Sequence, residues 1–96
     1  VKRAAKTDHN QGDIVDALRK YGAYVRYLSQ GDGLPDLLVG YNGETILMEV
    51  KDGSKPPSQT RLTDRELKFF EEWKGGKLYI VYSVQEALDI LDLTRG

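Results

Sequence analysis

Asp36, Glu49 and Lys51 are two carboxylates and an amine spaced so that one tight bend brings them together. Between them lies Tyr41-Asn42-Gly43-Glu44, and Asn-Gly flanked by apolar runs is the strongest short hairpin signal. With a two-residue or a four-residue loop there, Tyr41 faces Glu44, Leu38 faces Leu47 and Asp36 faces Glu49. Directly opposed residues have Cβ atoms roughly 4.5–5.5 Å apart. Lys51 is two residues beyond Glu49 and points to the same face. Opposed like charges destabilise a sheet, so a partner that offsets the repulsion is expected. A hard divalent cation, Mg²⁺ or Mn²⁺, suits an all-oxygen donor set, and the backbone carbonyl of Val50 is placed to add a third oxygen. Such a cation polarises a phosphoryl oxygen, acidifies water and stabilises a departing oxygen. Lys51 beside it orients that water or neutralises charge growing on phosphorus. These are the requirements of phosphodiester hydrolysis. The alternative is a plain cross-strand ion pair, Lys51 satisfying Glu49, with Asp36 only starting a strand after Pro35.

The elements that must hold these residues follow from periodicity and breakers. Residues 1–7 have no pattern and read as a loosely ordered arm. Asp8 with Gln11 has the form of a capping box, and Ile14, Val15, Leu18 and Tyr21 make an apolar stripe that Gly22 ends. Residues 23–28 read as a strand and 29–35 as a glycine-rich loop. The hairpin spans 36–40 and 45–51, with Leu38 and Leu47 on one face and Leu37, Val39, Ile46, Met48 and Val50 on the other. Because both faces are apolar, cover on both is expected. A polar loop, 52–62, contains Pro56-Pro57. Thr63 with Glu66 opens a second helix whose buried side is expected at Leu67, Phe70 and Trp73, with Gly75-Gly76 as its stop. Residues 78–82 form a strand, and Ser83 with Glu86 starts a last helix carrying Val84, Ala87, Leu88 and Leu91.

The expected order is α-β-β-β-α-β-α. Short connections make the first three strands an antiparallel meander, and the helical crossover sets the fourth parallel to the third on a right-handed path. The fold class is therefore α/β, a four-stranded mixed sheet between helices.

With 96 residues there is room for one domain, 1–96. The chain has no cysteine, which excludes disulfides, thiolate metal sites and a cysteine nucleophile. No apolar run is long enough to cross a membrane, and nothing suggests secretion, so a cytoplasmic location is expected. A net charge of −1 does not mark a nucleic-acid binder, although basic clusters occur at Lys2, Arg3 and Lys6, at Arg19, Lys20 and Arg26, and at Lys51, Lys55, Arg61 and Arg65. His9, the one histidine, reads as a surface residue. The serines have no nearby histidine, and Gly31-Asp32-Gly33 opens no helix, so neither a serine hydrolase nor a dinucleotide site is indicated.

Gly33-Leu34-Pro35-Asp36, the hairpin and Glu49-Val50-Lys51 resemble the signature of the PD-(D/E)XK nuclease superfamily, whose restriction-endonuclease-like core has a similar element order. More narrowly, the residues from Asn10-Gln11-Gly12-Asp13-Ile14-Val15 through Pro35-Asp36-Leu37-Leu38-Val39-Gly40, with Glu49-Val50-Lys51-Asp52-Gly53 and Leu62-Thr63, resemble the viral-type replication-repair nuclease (VRR-Nuc) domain. The likeness runs from about Asn10 to Leu88. It implies a metal-dependent nuclease with Asp36 and Glu49 as ligands, Lys51 as the catalytic lysine and no organic cofactor. Relatives often add an acid from the first helix; the matching position here is Gln11, whose amide can coordinate a metal or hold water but cannot act as a base. Asp13 is about 200° around the helix from Gln11 and does not share its face.

The resemblance further implies a homodimer acting on branched DNA, in the manner of Holliday junction resolvases. Tyr21, Tyr24, Tyr27, Phe69 and Trp73 are candidates for its interface, with core packing as the alternative for Phe69 and Trp73. Lys55, Ser58 and Arg61 follow the metal strand where a DNA backbone would pass; the alternative is a solvated loop. A catalytically inactive DNA-binding module on the same fold, or an assembly protein with a simple ion pair, are the competing functions.

Overall fold

The hairpin turn has the geometry its sequence calls for. In the computed structural model, which describes residues 9–29 and 31–94, Asn42 and Gly43 have φ of 52° and 79°. Two consecutive positive φ values make the turn whose twist matches the flanking strands. Strands β2 (Leu37–Tyr41) and β3 (Glu44–Val50) pair antiparallel with Tyr41 opposite Glu44 and Leu38 opposite Leu47. The register is the expected one.

The remaining elements are α1 (Gln11–Lys20), β1 (Tyr24–Tyr27), α2 (Asp64–Glu72), β4 (Lys77–Val81) and α3 (Val84–Leu93), with a 3-10 turn at Pro57–Gln59 inside the 52–62 loop. The sheet order is β1-β2-β3-β4. β1 runs antiparallel to β2, and β4 runs parallel to β3. The α-β-β-β-α-β-α order and the mixed sheet are as the sequence implies.

The two faces of the sheet are unequal. On one, Ile14, Val15 and Leu18 of α1 and Ala87, Ile90 and Leu91 of α3 close over Val25, Leu37, Val39, Ile46, Met48, Val50 and Val81. All are buried, and a fully buried side chain of this size stabilises by about 1.5–3 kcal/mol. The other face carries Leu38 and Leu47 and ends in Glu49 and Lys51. It meets α2 at that helix's first turn, where Glu66 contacts Lys51.

Here the structure corrects an expectation. No residue of α2 is buried; Leu67 is 46% exposed and Trp73 39%. The stripe with the lower exposure includes Glu66, Phe69 and Phe70, and the Phe69 and Trp73 rings stack with centroids 5.3 Å apart. One-residue rotation of the stripe follows from Glu66, which takes a sheet-facing position because its carboxylate has polar partners there. Phe69 and Trp73 lie outside the core, so packing within it is not their role.

One helix start also differs from expectation. The N-cap of α1 is Asn10, whose amide donates to the Lys51 and Tyr82 carbonyls at 3.2 and 3.3 Å and so docks the helix on the ends of β3 and β4. Asp8 lies outside the described residues, as do the arm at 1–7 and the cluster Lys2, Arg3 and Lys6. Thr63 and Glu66 form the expected capping box of α2. At α3, the Glu86 N–H donates to Ser83 Oγ, but the Glu86 carboxylate accepts from Tyr82, one residue earlier than the box requires. Tyr21 is 39% exposed, off the buried stripe of α1, and its hydroxyl bonds Asp92 at 2.6 Å.

Candidate active site

Asp36 sits one residue before β2, between the buried Pro35 and Leu37. Its carbonyl accepts the Leu28 N–H at 2.9 Å, and its Oδ2 accepts the Val50 N–H at 2.8 Å. The side chain thus extends the ladder across to β3 where the β2 backbone stops pairing. Lys51 sends its own N–H the other way, to Val81 on β4 at 2.9 Å. Backbone groups alternate sides along a strand, so Val50 presents its carbonyl toward Asp36.

Glu49 is only 3% exposed. Its Oε2 is 3.6 Å from Lys51 Nζ, and its Oε1 is buried without a hydrogen-bond partner among the described residues. Burial first, then the charges of Asp36 and Glu66, push its carboxyl up to about 9, and the Lys51 ammonium only partly opposes them. Near neutral pH, with no cation in place, this acid holds its proton.

Lys51 Nζ donates to Glu66 Oε1 at 2.9 Å, and the same oxygen accepts the Thr63 N–H at 2.9 Å. Burial pushes Glu66 up, but the Thr63 N–H, the Lys51 ammonium and the neighbouring Glu49 outweigh it and hold this carboxyl below its ordinary value. Asp36, Glu49, Lys51 and Glu66 line one cavity of about 240 Å³ together with Thr63 and Arg65. The three residues picked out by spacing are therefore side by side in space.

Glu66 is the functional candidate that spacing missed. Its position three after Thr63 reads as a cap and nothing more. The available signal was an acid on the sheet-facing stripe of an amphipathic helix, where an apolar residue is the rule. Gly33 ties the same turn to the loop before Asp36. Its φ is +76°, and a Cβ there would overlap the Arg65 carbonyl and crowd the Glu66 N–H.

A magnesium-type cation fits these donors. Two carboxylates and a backbone carbonyl supply hard oxygens, and the buried Glu49 Oε1 has no hydrogen-bond partner among the described residues. Among the described residues no three acidic, cysteine or histidine side chains form a closed ligand set. The protein would leave the remaining positions to water and substrate, which is how Mg²⁺ is usually held.

Gln11 does not line this cavity. It is buried at the head of the stripe formed by Ile14, Val15 and Leu18. Lys55 lines a second cavity, of about 700 Å³, with Asn10, Asp52, Tyr82 and Glu86; Ser58 and Arg61 are exposed and line neither. His9 is on the surface as expected, its Nδ1 3.1 Å from Asp52 Oδ2. The Ser54 hydroxyl and N–H hold the Asp52 carboxyl below its usual range. Tyr24 and Tyr27 are exposed, and no helix among the described residues is long and apolar enough to cross a membrane.

A four-stranded mixed sheet, helices on both sides, and an Asp, a Glu and a Lys gathered at the end of the hairpin define a nuclease-like α/β core. A solved VRR_NUC domain matches this chain with a TM-score of 0.64 and 25% sequence identity, over 86% of this chain and 95% of that one. No protein-family model matches the chain, and no curated protein does. This match supports a VRR-Nuc domain, a nuclease domain family, in line with the resemblance carried by the residues from Asn10 to Leu88.

Proposed function

We propose that this protein is a metal-dependent DNA endonuclease that hydrolyses phosphodiester bonds in branched DNA, acting in the cytoplasm as a homodimer. The observation that carries the nuclease function is the meeting of Asp36, Glu49 and Lys51 in one cavity, within a fold similar to that of a VRR_NUC domain.

Asp36, Glu49 and the Val50 carbonyl would hold Mg²⁺ or Mn²⁺; Gln11, the expected supporting contact from α1, does not line their cavity. When bound, the cation supplies charge neutralisation at the phosphate and an acidified water. Asp36 reaches the site with one oxygen already fixed by the Val50 N–H, so its orientation is set before any ligand arrives. Glu49 must give up the proton that burial and its acidic neighbours favour, and so it becomes a ligand only when a cation replaces that proton. Lys51 lines the same cavity, where its ammonium would stabilise charge on a pentacoordinate phosphorus.

Branched DNA as substrate draws on the likeness to resolvases, and two-fold pairing would supply the second active site that symmetric nicking needs. The exposed Tyr24 and Tyr27 are candidates for that interface. Lys55, Ser58 and Arg61 would follow the DNA backbone away from the cut.

The test is incubation of the purified protein with a four-way junction, a flap and a linear duplex, each with and without Mg²⁺. Metal-dependent cutting of the branched substrates above the duplex is expected. Binding without cutting, at any Mg²⁺ or Mn²⁺ concentration, would identify a DNA-binding module instead.

A further inference from the structure

Glu66 performs two tasks with one oxygen. Its Oε1 accepts the Thr63 N–H at 2.9 Å, which closes the capping box, and accepts Lys51 Nζ at 2.9 Å. The return half of the box, Glu66 N–H to Thr63 Oγ1 at 3.2 Å, fixes the same turn from the other side. The carboxylate is therefore immobilised by the start of α2 whether or not Lys51 arrives. That turn is seated in turn on the loop before Asp36, because the bare Cα of Gly33 lets the Arg65 carbonyl and the Glu66 N–H approach. Three segments meet at Glu66: the loop carrying Asp36, the end of β3 and the first turn of α2.

Lys51 needs such a partner. Its ammonium rides on a flexible four-carbon stem. The acid on its own strand, Glu49, is 3.6 Å away, longer than a good hydrogen bond, whereas Glu66 is at 2.9 Å.

We propose that Glu66 is a positioning residue, a helix-capping carboxylate that holds the Lys51 ammonium over the Asp36–Glu49 cavity in the place where a scissile phosphodiester would meet it. This role rests on the nuclease function proposed above and adds to it a residue from α2. What it asks of Glu66 is reach and an acceptor oxygen, more than charge. Glutamine has the same length, and its carbonyl can accept from both donors. Aspartate keeps the charge but is one methylene too short to serve both.

The experiment compares Glu66→Gln, Glu66→Asp and Glu66→Ala in the full chain, with cleavage of a branched substrate followed across DNA concentrations in Mg²⁺. Ser83→Ala, which removes the Ser83 Oγ cap from α3, controls for general loss of stability and leaves cleavage at the wild-type rate. The Gln variant is expected within about threefold of wild type in kcat, and the Asp and Ala variants about tenfold or more below it with KM steady, since small misplacements of a catalytic group are costly. A second readout needs no cleavage: in metal-free protein labelled with ¹⁵N-lysine, the hydrogen-bonded Lys51 ammonium exchanges slowly in wild type and Gln, and its signal is lost in Asp and Ala. Higher activity in Asp than in Gln would overturn the proposal, because charge and not reach would then matter. So would an Ala variant with wild-type kcat and an intact Lys51 signal. If wild type cleaves no substrate, the nuclease function fails, and the lysine signals still decide whether Glu66 holds Lys51.

Discussion

Asp36 is bonded to the backbone of Val50, the Val50 N–H donating to Oδ2 across 2.8 Å, in addition to lining one cavity with Glu49. A residue proposed as a metal ligand thus also finishes the β2–β3 ladder, and its two jobs separate on substitution. Asp36→Ala leaves a buried N–H without an acceptor, which costs about 1–3 kcal/mol. Near neutral pH no relief of charge repulsion offsets that loss, because the Glu49 facing the site is protonated there. Asp36→Asn keeps the acceptor and removes the charge, so its metal-free melting temperature is expected to equal or exceed that of wild type, while Asp36→Ala falls below it. Both lose cleavage. Thermal unfolding of the two variants in EDTA checks the ordering, and a more stable Ala variant would contradict the bond's structural role.

Glu49 sets a pH dependence whose sign can be worked out. Its folded-state value of about 9 lies above the ordinary 4.5, so between these the folded protein holds a proton that the unfolded chain has released. Stability of the metal-free protein is therefore greatest, as far as this group matters, below the ordinary value, and is lost as pH rises through about 9. A cation competes with that proton. Mn²⁺ affinity is expected to increase with pH, and calorimetry in buffers of different ionisation enthalpy should show a proton released on binding. Glu49→Gln, which cannot titrate, should flatten the fall in metal-free melting temperature between about pH 4.5 and 9 and abolish specific Mn²⁺ uptake.

The hairpin and its consequences were legible because Asn42-Gly43 admits one turn type, and the turn dictates the register that sets Asp36 toward Glu49. The core-facing strand residues followed from alternation alone. The face of α2 did not. Its helix has aromatic or apolar residues at Leu67, Phe69, Phe70 and Trp73, which spread over an arc of about 160°, so periodicity could not say which of them meets the sheet. The answer depends on Glu66, whose sheet-facing position follows from its bond to Lys51, and no local pattern records that contact. Asn10 is similar: its amide bridges to Lys51 and Tyr82, which are 41 and 72 residues away.

Lys51 separates chemistry from binding. Lys51→Met keeps most of the stem and removes the ammonium, leaving Glu49 and Glu66 facing one another without a cation between them. Cleavage in Mg²⁺ is expected to drop below detection, while Mn²⁺ uptake by calorimetry persists, because both proposed ligands remain. Glu49→Ala loses both, and EDTA abolishes cutting by wild type. Retained cleavage by Lys51→Met would remove the lysine from the mechanism without touching the metal site.

Gly33 links stability to the geometry of the site. At φ +76° a side chain is strained wherever it occurs, and here a Cβ would also overlap the Arg65 carbonyl in the first turn of α2. Gly43 has almost the same φ, +79°, but nothing stands within 4 Å of where its Cβ would be. Comparing the two alanine variants isolates the overlap from the strain. Gly43→Ala should cost about 1 kcal/mol or slightly more, the backbone strain alone. Gly33→Ala should cost more, since the backbone of α2 must move away, and that movement withdraws Glu66 from Lys51. Chemical denaturation gives the two stabilities. In the ¹⁵N-lysine spectrum only Gly33→Ala is expected to lose the slowly exchanging Lys51 ammonium; equal costs and equal spectra would mean that α2 is not held in place by this contact.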